Sequence, residues 1–532
     1  MSTVAARIDQ AVGRARWQSL WLMPVAGAAL ALALPPLGVL PAVLVPAVLF
    51  LALLDARNWR RGFAAAWLFA FGFHLAGHYW VGIAFFADAE RFGALAVPGV
   101  LGLVAVLAVL TALPLALVAG VRWRSRLAAS LAFAALWCVG ELVRGRWGVQ
   151  FPWNPLSIAL AAHDAPLQLV ALIGTTGASF ALAWLAALAG LAWRETGGAR
   201  LTPALLALML VGGGTGYGYW RLGAALPLAA TGQPPVVRIV QGNIAQHHKW
   251  DPELRQRWFE RHLELSLTPD PDAASAAVPD VVVWPESSVP YSLEEHARVR
   301  ELVGSVVRPG GHVVLGSDFY DPESDPPVLH NSVYTVAADG EILARYDKVD
   351  LVPFGEYLPF RVLFGRLGLE ALAVGSVDFT AGADRTTIAA DGLLPFSPLV
   401  CFEAAFAGHA TDGTGRAEWL VNVTNDAWFG ISSGPYQHAA MARMRSVETG
   451  LPLVRAANTG ISLVTDAKGR TQALLPLGAM GTLDVTLPRA LATPPPATHL
   501  PWGAAIILLL GALSALGAEL LARRRNFFAA DT

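Results

Sequence analysis

Residues 236–244 read VVRIVQGNI, residues 251–267 read DPELRQRWFERHLELSL, and residues 280–288 read DVVVWPESS. The first and third are short β-rich runs, whereas the second has the apolar spacing of an amphipathic helix. The same alternation continues with LEEHARVRELVGSVV at 293–307 and HVVLGSDFY at 312–320. Strands that alternate with helical segments are typical of an α/β domain, which the sequence therefore predicts from residue 236 onward.

Further along, residues 331–352 read NSVYTVAADGEILARYDKVDLV and predict a β-hairpin, because Asp339-Gly340 suits a tight turn. Two more β-rich runs end in polar motifs, PLVCFEAAF at 398–406 and WLVNVTNDAWFG at 419–430. A helix is predicted through HAAMARMRSVETG, and a second hairpin is predicted around VTDAKGRTQ. The α/β domain is therefore expected to end near residue 490.

The composition indicates a membrane protein, because 55% hydrophobic and 15% charged residues are too apolar for a soluble chain of 532 residues. A membrane-spanning helix needs about 20 apolar residues. Eight candidate spans are found, near 19–34, 38–55, 62–84, 93–121, 127–143, 166–193, 202–220 and 501–522. We predict a membrane domain of about seven spans over 1–220, a soluble domain over 236–490 and a C-terminal span at 501–522.

The arginines predict the orientation, since positive residues concentrate in cytoplasmic loops. Fourteen arginines lie inside if the N-terminus is cytoplasmic: Arg7, Arg14, Arg16, Arg57, Arg60, Arg61, Arg122, Arg124, Arg126, Arg194, Arg200, Arg523, Arg524 and Arg525. The short outside loops then hold three, Arg91, Arg144 and Arg146. This arrangement predicts that the soluble domain is extracytoplasmic and that the uncleaved N-terminal segment is an anchor.

Several function classes receive no support. The net charge of −2 argues against a nucleic-acid partner. The two cysteines, Cys138 and Cys401, fall in different parts of the chain, so no disulfide framework is predicted. The sequence has neither a phosphate-binding glycine loop nor a metal-ligand spacing, and we therefore expect no cofactor and no metal.

Three residues follow β-like runs, where open α/β sheets place their active side chains: Glu286, Lys348 and Cys401. Cys401 is a candidate nucleophile, Glu286 a candidate base, and Lys348 a candidate stabiliser of negative charge. Taken singly, each has a common alternative explanation. The cysteine would be core packing, the glutamate a solvated turn residue, and the lysine a surface charge.

The motifs around these residues carry a family resemblance. The segments VVVWPESS (281–288), YDKVDLVPFGEYLP (346–359) and LVCFEAAF (399–406) resemble the Glu, Lys and Cys motifs of the nitrilase superfamily. Together with QGNIAQHHKWD (241–251), VNVTNDAWFG (421–430) and the spans, they resemble the bacterial apolipoprotein N-acyltransferase family. The resemblance covers essentially the whole chain and implies an αββα sandwich beside a multi-span α-helical membrane domain.

The resemblance also implies residue roles. Glu286 would be the general base, Lys348 the electrostatic stabiliser and Cys401 the nucleophile. A further set would bind substrate or support the site: Glu356, Glu403, Trp250 and Trp428. The two acids have a second interpretation as orienting salt-bridge partners, and the tryptophans as packing or membrane-interface residues. Phe402 stands where some relatives carry Tyr, so no hydroxyl there is essential.

The implied function is acyl transfer from a phospholipid, through a cysteine thioester, to the α-amino group of the diacylglyceryl-cysteine of an apolipoprotein. The implied location is a bacterial inner membrane, multi-pass, with the catalytic domain on the periplasmic side. One alternative is a membrane-tethered amidase or nitrilase acting on a small C–N substrate. Another is a transporter or scaffold whose pathway would use His74, His78 and Glu141.

The segment VPFGEYLPFRVLFGRLGLEALAVG at 352–375 is rich in aromatic and leucine residues but too interrupted to span a membrane. It is interpreted either as part of the soluble core or as a lid that dips into the outer leaflet.

Overall fold

The computed structural model describes residues 20–56, 58–147, 149–229, 232–249, 251–271, 278–359, 378–411, 416–499, 511, 515 and 519. Within them, the helices of eight or more residues are α1 (Leu22–Leu30), α2 (Pro46–Asp55), α3 (Trp59–His78), α4 (Ala96–Gly120), α5 (Arg126–Leu142), α6 (Leu169–Arg194), α7 (Leu201–Gly223), α8 (Arg255–Leu267), α9 (Ala297–Gly304) and α10 (Ser433–Thr449). The expected span at 501–522 lies outside the described residues except for three helical positions.

The helical region comes first in the chain. Four of its apolar helical stretches within the described residues are long enough to cross a membrane: Trp59–Gly120, Arg126–Arg146, Leu169–Arg194 and Gly197–Gly223. The first of these contains both α3 and α4, joined by a 3-10 segment at Tyr79–Asp88. Two shorter apolar helices precede them, Leu22–Ala33 and Leu40–Asp55. The seven expected N-terminal spans remain a prediction.

Twelve strands lie among the described residues of the second region: β1 (Val236–Gln241), β2 (Val281–Val283), β3 (His312–Asp321), β4 (Val328–Ala337), β5 (Ile342–Asp347), β6 (Ile388–Ala390), β7 (Leu393–Val400), β8 (Trp419–Thr424), β9 (Leu453–Ala457), β10 (Ser462–Thr465), β11 (Thr471–Leu475) and β12 (Gly481–Thr486). One six-stranded sheet has the order β12-β1-β2-β3-β4-β5, and the other has the order β11-β10-β9-β8-β7-β6. The central strands β1, β2 and β3 are parallel, as are β7, β8 and β9.

The two sheets pack face to face. Apolar side chains from both sheets form one buried cluster, to which Val281 and Val314 belong on one side and Phe396 and Val421 on the other. The outer face of the first sheet is covered by α8 and α9, and that of the second by α10. This is the αββα sandwich that the resemblance implies, so the predicted fold class is confirmed.

Local sequence explains the tight connections. The hairpin between β4 and β5 turns at Gly340, whose φ of 88° is a conformation that glycine adopts without steric cost. The second predicted hairpin joins β10 to β11 and turns at Gly469, with φ 74°. Both turns therefore lie where the sequence predicts them.

Helix α10 lies between the two regions of the chain. Met441, Met444 and Val447 on this helix belong to the same buried cluster as the apolar helices, while Ala439 and Ala442 pack toward the sheet. A helix that is buried around most of its surface must be enclosed by other elements. The membrane helices and the sandwich are thus joined by one continuous packed interface.

Candidate active site

The three candidate catalytic residues lie at the ends of strands from both sheets. Glu286 follows β2 through a Trp-Pro step, Lys348 directly follows β5, and Cys401 directly follows β7. All three side chains are buried. Because the sheets pack face to face, these strand ends meet at one edge of the sandwich, and the sequence-predicted triad is brought together there.

Lys348 is held between two carboxylates. Its Nζ lies 2.7 Å from Glu356 Oε1 and 3.7 Å from Glu286 Oε1. Asn331 on β4 joins the two acids, since its Nδ2 donates to Glu286 Oε1 at 2.7 Å and to Glu356 Oε1 at 3.1 Å. Glu356 is oriented in turn by the Val352 amide, which donates to Oε2 at 2.7 Å. This network fixes the side chains of Glu286 and Lys348.

The charge of Lys348 is stabilised by its neighbours. Burial by itself lowers the pKa of a lysine, but the Glu356 and Glu286 carboxylates raise the pKa of Lys348 above its ordinary value. The ammonium group is therefore a permanent cation. A fixed cation beside a thiol can stabilise both a thiolate and the oxyanion that forms when the thiolate attacks a carbonyl.

Cys401 occupies a strained backbone conformation at the start of a 3-10 turn, Cys401–Ala405. Its φ is 47°, in the left-handed region that a residue with a Cβ seldom adopts. Burial and the Glu286 carboxylate raise the pKa of the Cys401 thiol, while Lys348 opposes the rise. The resting thiol is therefore protonated at neutral pH, and a base must remove its proton.

Other residues in the same motifs share this strain. Non-glycine residues with positive φ include Asn243, Ser287 and Phe354, at 48°, 47° and 64°. Each lies in one of the motifs that carry the family resemblance. Strained backbone of this kind costs about 1–3 kcal/mol per residue and persists where the surroundings enforce it, as they do at functional sites.

Glu403 supports the site without facing the thiol. Its Oε1 accepts hydrogen bonds from Tyr346 Oη at 2.8 Å and from the amides of Val349 and Asp350 at 2.8 and 3.2 Å. Its Oε2 accepts from the Val400 amide at 2.7 Å. A single carboxylate thus ties the end of β5, which carries Lys348, to the end of β7, which carries Cys401.

The two tryptophans expected at the site have different outcomes. Trp428 is half-buried in the 3-10 turn Asp426–Phe429 that follows β8. Its neighbour Phe429 packs against Trp80 of the membrane region, with ring centroids 4.5 Å apart. Trp250 lies outside the described residues, and so do residues 360–375 of the proposed lid. The roles of both tryptophans and of the lid remain predictions.

Sequence reasoning missed two residues at this site, Asn331 and Lys249. The buried Lys249 donates from Nζ to the Glu286 carbonyl at 2.9 Å and is electrostatically coupled to Cys401. The sequence feature that could have indicated Lys249 is its position directly before Trp250 in the motif QGNIAQHHKWD. Asn331 had no signal, because an asparagine at the start of a hairpin is commonplace. Within the part of the chain that the structure describes, no three His, Cys, Asp or Glu side chains are grouped to hold a metal.

Comparison with protein families gives two matches. Residues 26–188 match the apolipoprotein N-acyltransferase N-terminal domain, and residues 236–495 match the carbon-nitrogen hydrolase family. Full-length relatives match as well. An apolipoprotein N-acyltransferase of Allorhizobium ampelinum is 38% identical over 91% of this chain and 92% of its own length. The chain belongs to the apolipoprotein N-acyltransferase family.

Other members of the family have comparable identity. The apolipoprotein N-acyltransferase of Brucella melitensis is 37% identical over 89% of both chains, and that of Caulobacter vibrioides is 38% identical over 89% of both. Glu286, Lys348 and Cys401 lie in the region that matches carbon-nitrogen hydrolases. The docked helices α1 to α6 lie in or overlap the region that matches the N-terminal domain of this family.

Solved structures also match, at lower identity. An amidase of the nitrilase superfamily from Nesterenkonia AN1 is 19% identical, covers 49% of this chain and 94% of its own, and has a TM-score of 0.33. Nit3 of Saccharomyces cerevisiae, a member of branch 10 of that superfamily, is 17% identical, covers 49% and 93%, and has a TM-score of 0.35.

Proposed function

We propose that this protein N-acylates bacterial lipoproteins, with Cys401 as the nucleophile, Glu286 as the general base and Lys348 as the electrostatic stabiliser. The acyl donor is a phospholipid, and the acceptor is the α-amino group of a diacylglyceryl-cysteine. The observation that carries the proposal is the meeting of these three buried side chains at an edge of the sandwich that is packed against apolar helices.

In the first half-reaction, Glu286 accepts the proton of the Cys401 thiol and Sγ attacks an ester carbonyl of the phospholipid. Lys348 stabilises the resulting oxyanion. The carbon–oxygen bond then breaks, the lysophospholipid oxygen takes the proton from Glu286, and a thioester remains on Cys401.

In the second half-reaction, the lipoprotein amine attacks the thioester and gives a proton to Glu286. The carbon–sulfur bond breaks, an amide forms, and the sulfur recovers the proton from Glu286. An amine is a competent nucleophile toward a thioester, but water competes with it. Packing of Phe402 against Trp153 of the membrane region, with centroids 6.2 Å apart, supports exclusion of water from beneath the nucleophile.

An apolar groove supports a lipid donor. It lies between the end of α3, the 3-10 segment Tyr79–Asp88 and the start of α4. Its walls include Phe86, Val97 and Leu101, all of which are exposed. The groove adjoins the start of α10, since the Tyr79 hydroxyl accepts a hydrogen bond from the Ser433 amide at 3.3 Å. Exposed apolar surface of this kind is stable in contact with acyl chains.

The placement of arginines supports an extracytoplasmic catalytic domain. Arg194 at the end of α6 pairs with Asp55 at the end of α2 at 2.7 Å, and Arg126 at the start of α5 pairs with Glu195. These ends carry the arginines expected in the cytoplasm. The opposite helix ends contact the sandwich, as when Lys468 donates to the Ala224 carbonyl at 2.7 Å beyond α7.

A labelled phospholipid tests the proposal. Incubation of the purified protein with a phospholipid that carries a labelled acyl chain should place the label on Cys401, in a linkage that hydroxylamine cleaves. Cys401→Ala and Cys401→Ser should fold and remain unlabelled. A normal yield of acyl-enzyme in Cys401→Ala would refute the assignment of the nucleophile.

The same experiment separates the tethered amidase from the acyltransferase. An amidase would release the acyl group of a small amide to water and would leave no phospholipid-derived label on Cys401. Addition of a diacylated lipopeptide should discharge the label into an amide product. Discharge that proceeds at the same rate without the lipopeptide would favour hydrolysis instead.

A further inference from the structure

His438 on α10 is the first residue of the predicted helical segment HAAMARMRSVETG, contacts the backbone of Cys401 and belongs to none of the motifs that carry the family resemblance. Its Nε2 lies 2.9 Å from the Cys401 carbonyl oxygen, and its Nδ1 lies 2.8 Å from Asp426 Oδ1. The ring is fully buried. A carbonyl oxygen only accepts hydrogen bonds, so Nε2 carries a hydrogen and donates a hydrogen bond to the Cys401 carbonyl.

Asp426 anchors the other side of the imidazole ring. Arg455 pairs with Asp426 Oδ2 at 2.7 Å, and Thr424 donates to Asp426 Oδ1 at 3.1 Å. Burial would raise the pKa of Asp426, but Arg455 and His438 lower it to about 2, so the group is a carboxylate. Burial and Arg455 lower the pKa of His438, whereas Asp426 and the Cys401 carbonyl favour its second proton.

The rest of the surroundings hold the ring in place. Trp153 packs on His438 with centroids 5.0 Å apart. Next to His438 in the chain, Gln437 Oε1 accepts hydrogen bonds from Trp80 Nε1, Trp153 Nε1 and Asn154 Nδ2, at 3.1, 3.0 and 3.1 Å. The helix segment that carries His438 is therefore fixed by the membrane region as well as by the sheet.

The carbonyl that His438 holds belongs to the residue with the strained backbone. With φ at 47°, the Cys401 peptide can relax to a commoner conformation unless its carbonyl is retained, and that rotation moves Sγ away from Glu286 and Lys348. We propose that His438 is a positioning residue: its Nε2–H holds the Cys401 carbonyl and so aims the sulfur at the base and the cation. This inference rests on Cys401 being the nucleophile of the proposed function.

Two substitutions separate this role from simple packing. In His438→Gln the amide nitrogen reaches the position of Nε2 and retains a donor to the Cys401 carbonyl. In His438→Asn the amide nitrogen reaches only the position of Nδ1, so the contact with Asp426 is retained and the donor to Cys401 is lost. His312→Asn is the matched control, because His312 is a buried imidazole whose Nε2 lies 3.0 Å from the Asp391 carbonyl, away from the triad.

Single-turnover transfer of a labelled acyl chain to Cys401 is the readout, with phospholipid concentration varied so that binding and rate are separated. We expect His438→Asn to slow acylation by ~10² with little change in the half-saturating lipid concentration, as a misplaced reacting group does. We expect His438→Gln to lose less than ~10-fold and the His312→Asn control to match wild type.

Equal acylation rates in folded His438→Gln and His438→Asn would overturn the inference, and so would a slower rate for the Gln variant. These outcomes leave the proposed function intact if wild type still acylates Cys401. Absence of label on Cys401 in wild type would instead remove the proposed function, and the positioning role with it.

Discussion

At the scale of single residues, the site is a balance of charges around one thiol. Lys348 is neutralised largely by Glu356, at 2.7 Å, and less by Glu286, at 3.7 Å. Glu286 is consequently free to act as a base, while its own charge makes the thiol harder to ionise. Glu286 should therefore raise the pKa of the thiol and Lys348 should lower it, although both residues promote acyl transfer.

We expect Glu286→Gln and Lys348→Met each to slow acylation by at least ~10², the usual loss for a general base or an oxyanion donor. Their effects on alkylation of Cys401 by iodoacetamide at pH 8 should differ in sign. Loss of the Glu286 charge lowers the pKa of the thiol and speeds alkylation, whereas loss of Lys348 raises the pKa and slows it. Alkylation that changes in the same direction in both variants would contradict this charge balance.

The pH dependence of the wild type follows from the same shift. Because burial raises the pKa of Cys401 above its ordinary value, the thiolate fraction should still be increasing from about pH 8 to 10, where an exposed cysteine approaches full ionisation. The alkylation rate measured over this range should rise without a plateau. A midpoint near pH 8.5, the ordinary value, followed by a plateau toward pH 10 would show that the thiol is not perturbed.

At the scale of secondary-structure elements, Glu403 joins the two sheets at the site. Its carboxylate accepts from three backbone amides and from the Tyr346 hydroxyl, and these donors lie at the ends of β5 and β7. These hydrogen bonds give the acid two residues after Cys401 a structural role. It orients the elements that carry Lys348 and Cys401.

Glu403→Ala should therefore lower both stability and activity. Each buried donor left without a partner costs about 1–3 kcal/mol, so we expect a loss of several kcal/mol in the free energy of unfolding. Tyr346→Phe is the control, since it removes one donor and leaves the amides paired. Thermal unfolding in detergent should show a much larger shift for Glu403→Ala; similar shifts in the two variants would mean that the amides find other partners.

Helix α10 fulfils a second function at this scale, since it connects the sandwich to the apolar helices. Besides Gln437, its Arg445 donates to the Thr175 hydroxyl at 2.8 Å, next to the kink of α6 at Gly174, where φ is 70°. Both contacts are buried. The membrane region is therefore in direct, buried contact with α10, the helix whose His438 contacts the Cys401 carbonyl.

Gln437→Met tests this connection, because it conserves volume and removes the acceptor shared by Trp80, Trp153 and Asn154. Trp80 Nε1 and Asn154 Nδ2 each keep the Gly77 carbonyl as an acceptor, so Trp153 Nε1 is the donor that loses its partner. We expect a loss of about 1–3 kcal/mol in the free energy of unfolding, together with slower acylation. Tyr436→Phe, at the more exposed neighbouring position, should resemble wild type in both respects. Normal thermal stability in Gln437→Met would exclude Gln437 as a structural link.

At the scale of the whole molecule, the apolar helices contact the sandwich at one end and carry most of their arginines at the other end. We propose on this basis that the bilayer separates them. Both native cysteines are buried, so an engineered surface cysteine can be labelled selectively.

Glu323→Cys lies on an exposed turn of the sandwich, and Gly198→Cys lies on the exposed loop between α6 and α7. We expect a membrane-impermeant maleimide to label the first in intact spheroplasts and the second only after lysis. The reverse pattern would invert the orientation, and labelling of neither cysteine even after lysis would contradict their exposure.

Much of the fold and the positions of the three candidate triad residues followed from local sequence. Strand and helix alternation predicted the α/β domain, two hairpins were located by their glycines, and apolar runs predicted helices through residues 59–223. These features depend on side-chain periodicity and backbone preferences. Both act over a few residues and can therefore be predicted from the sequence. Glu286, Lys348 and Cys401 were proposed as a triad because each follows a strand and because the surrounding motifs resemble those of the nitrilase superfamily.

The tertiary structure alone decided which distant residues complete the site. Asn331 bridges two acids, Lys249 contacts the Glu286 carbonyl, and His438 reaches the Cys401 carbonyl from a helix 37 residues away. Nothing in their local sequence distinguishes an asparagine in a strand or a histidine in a helix from many others. Their partners are set by the packing of two sheets and a membrane region, because hydrogen-bond geometry depends on the distance in space between groups that are remote along the chain.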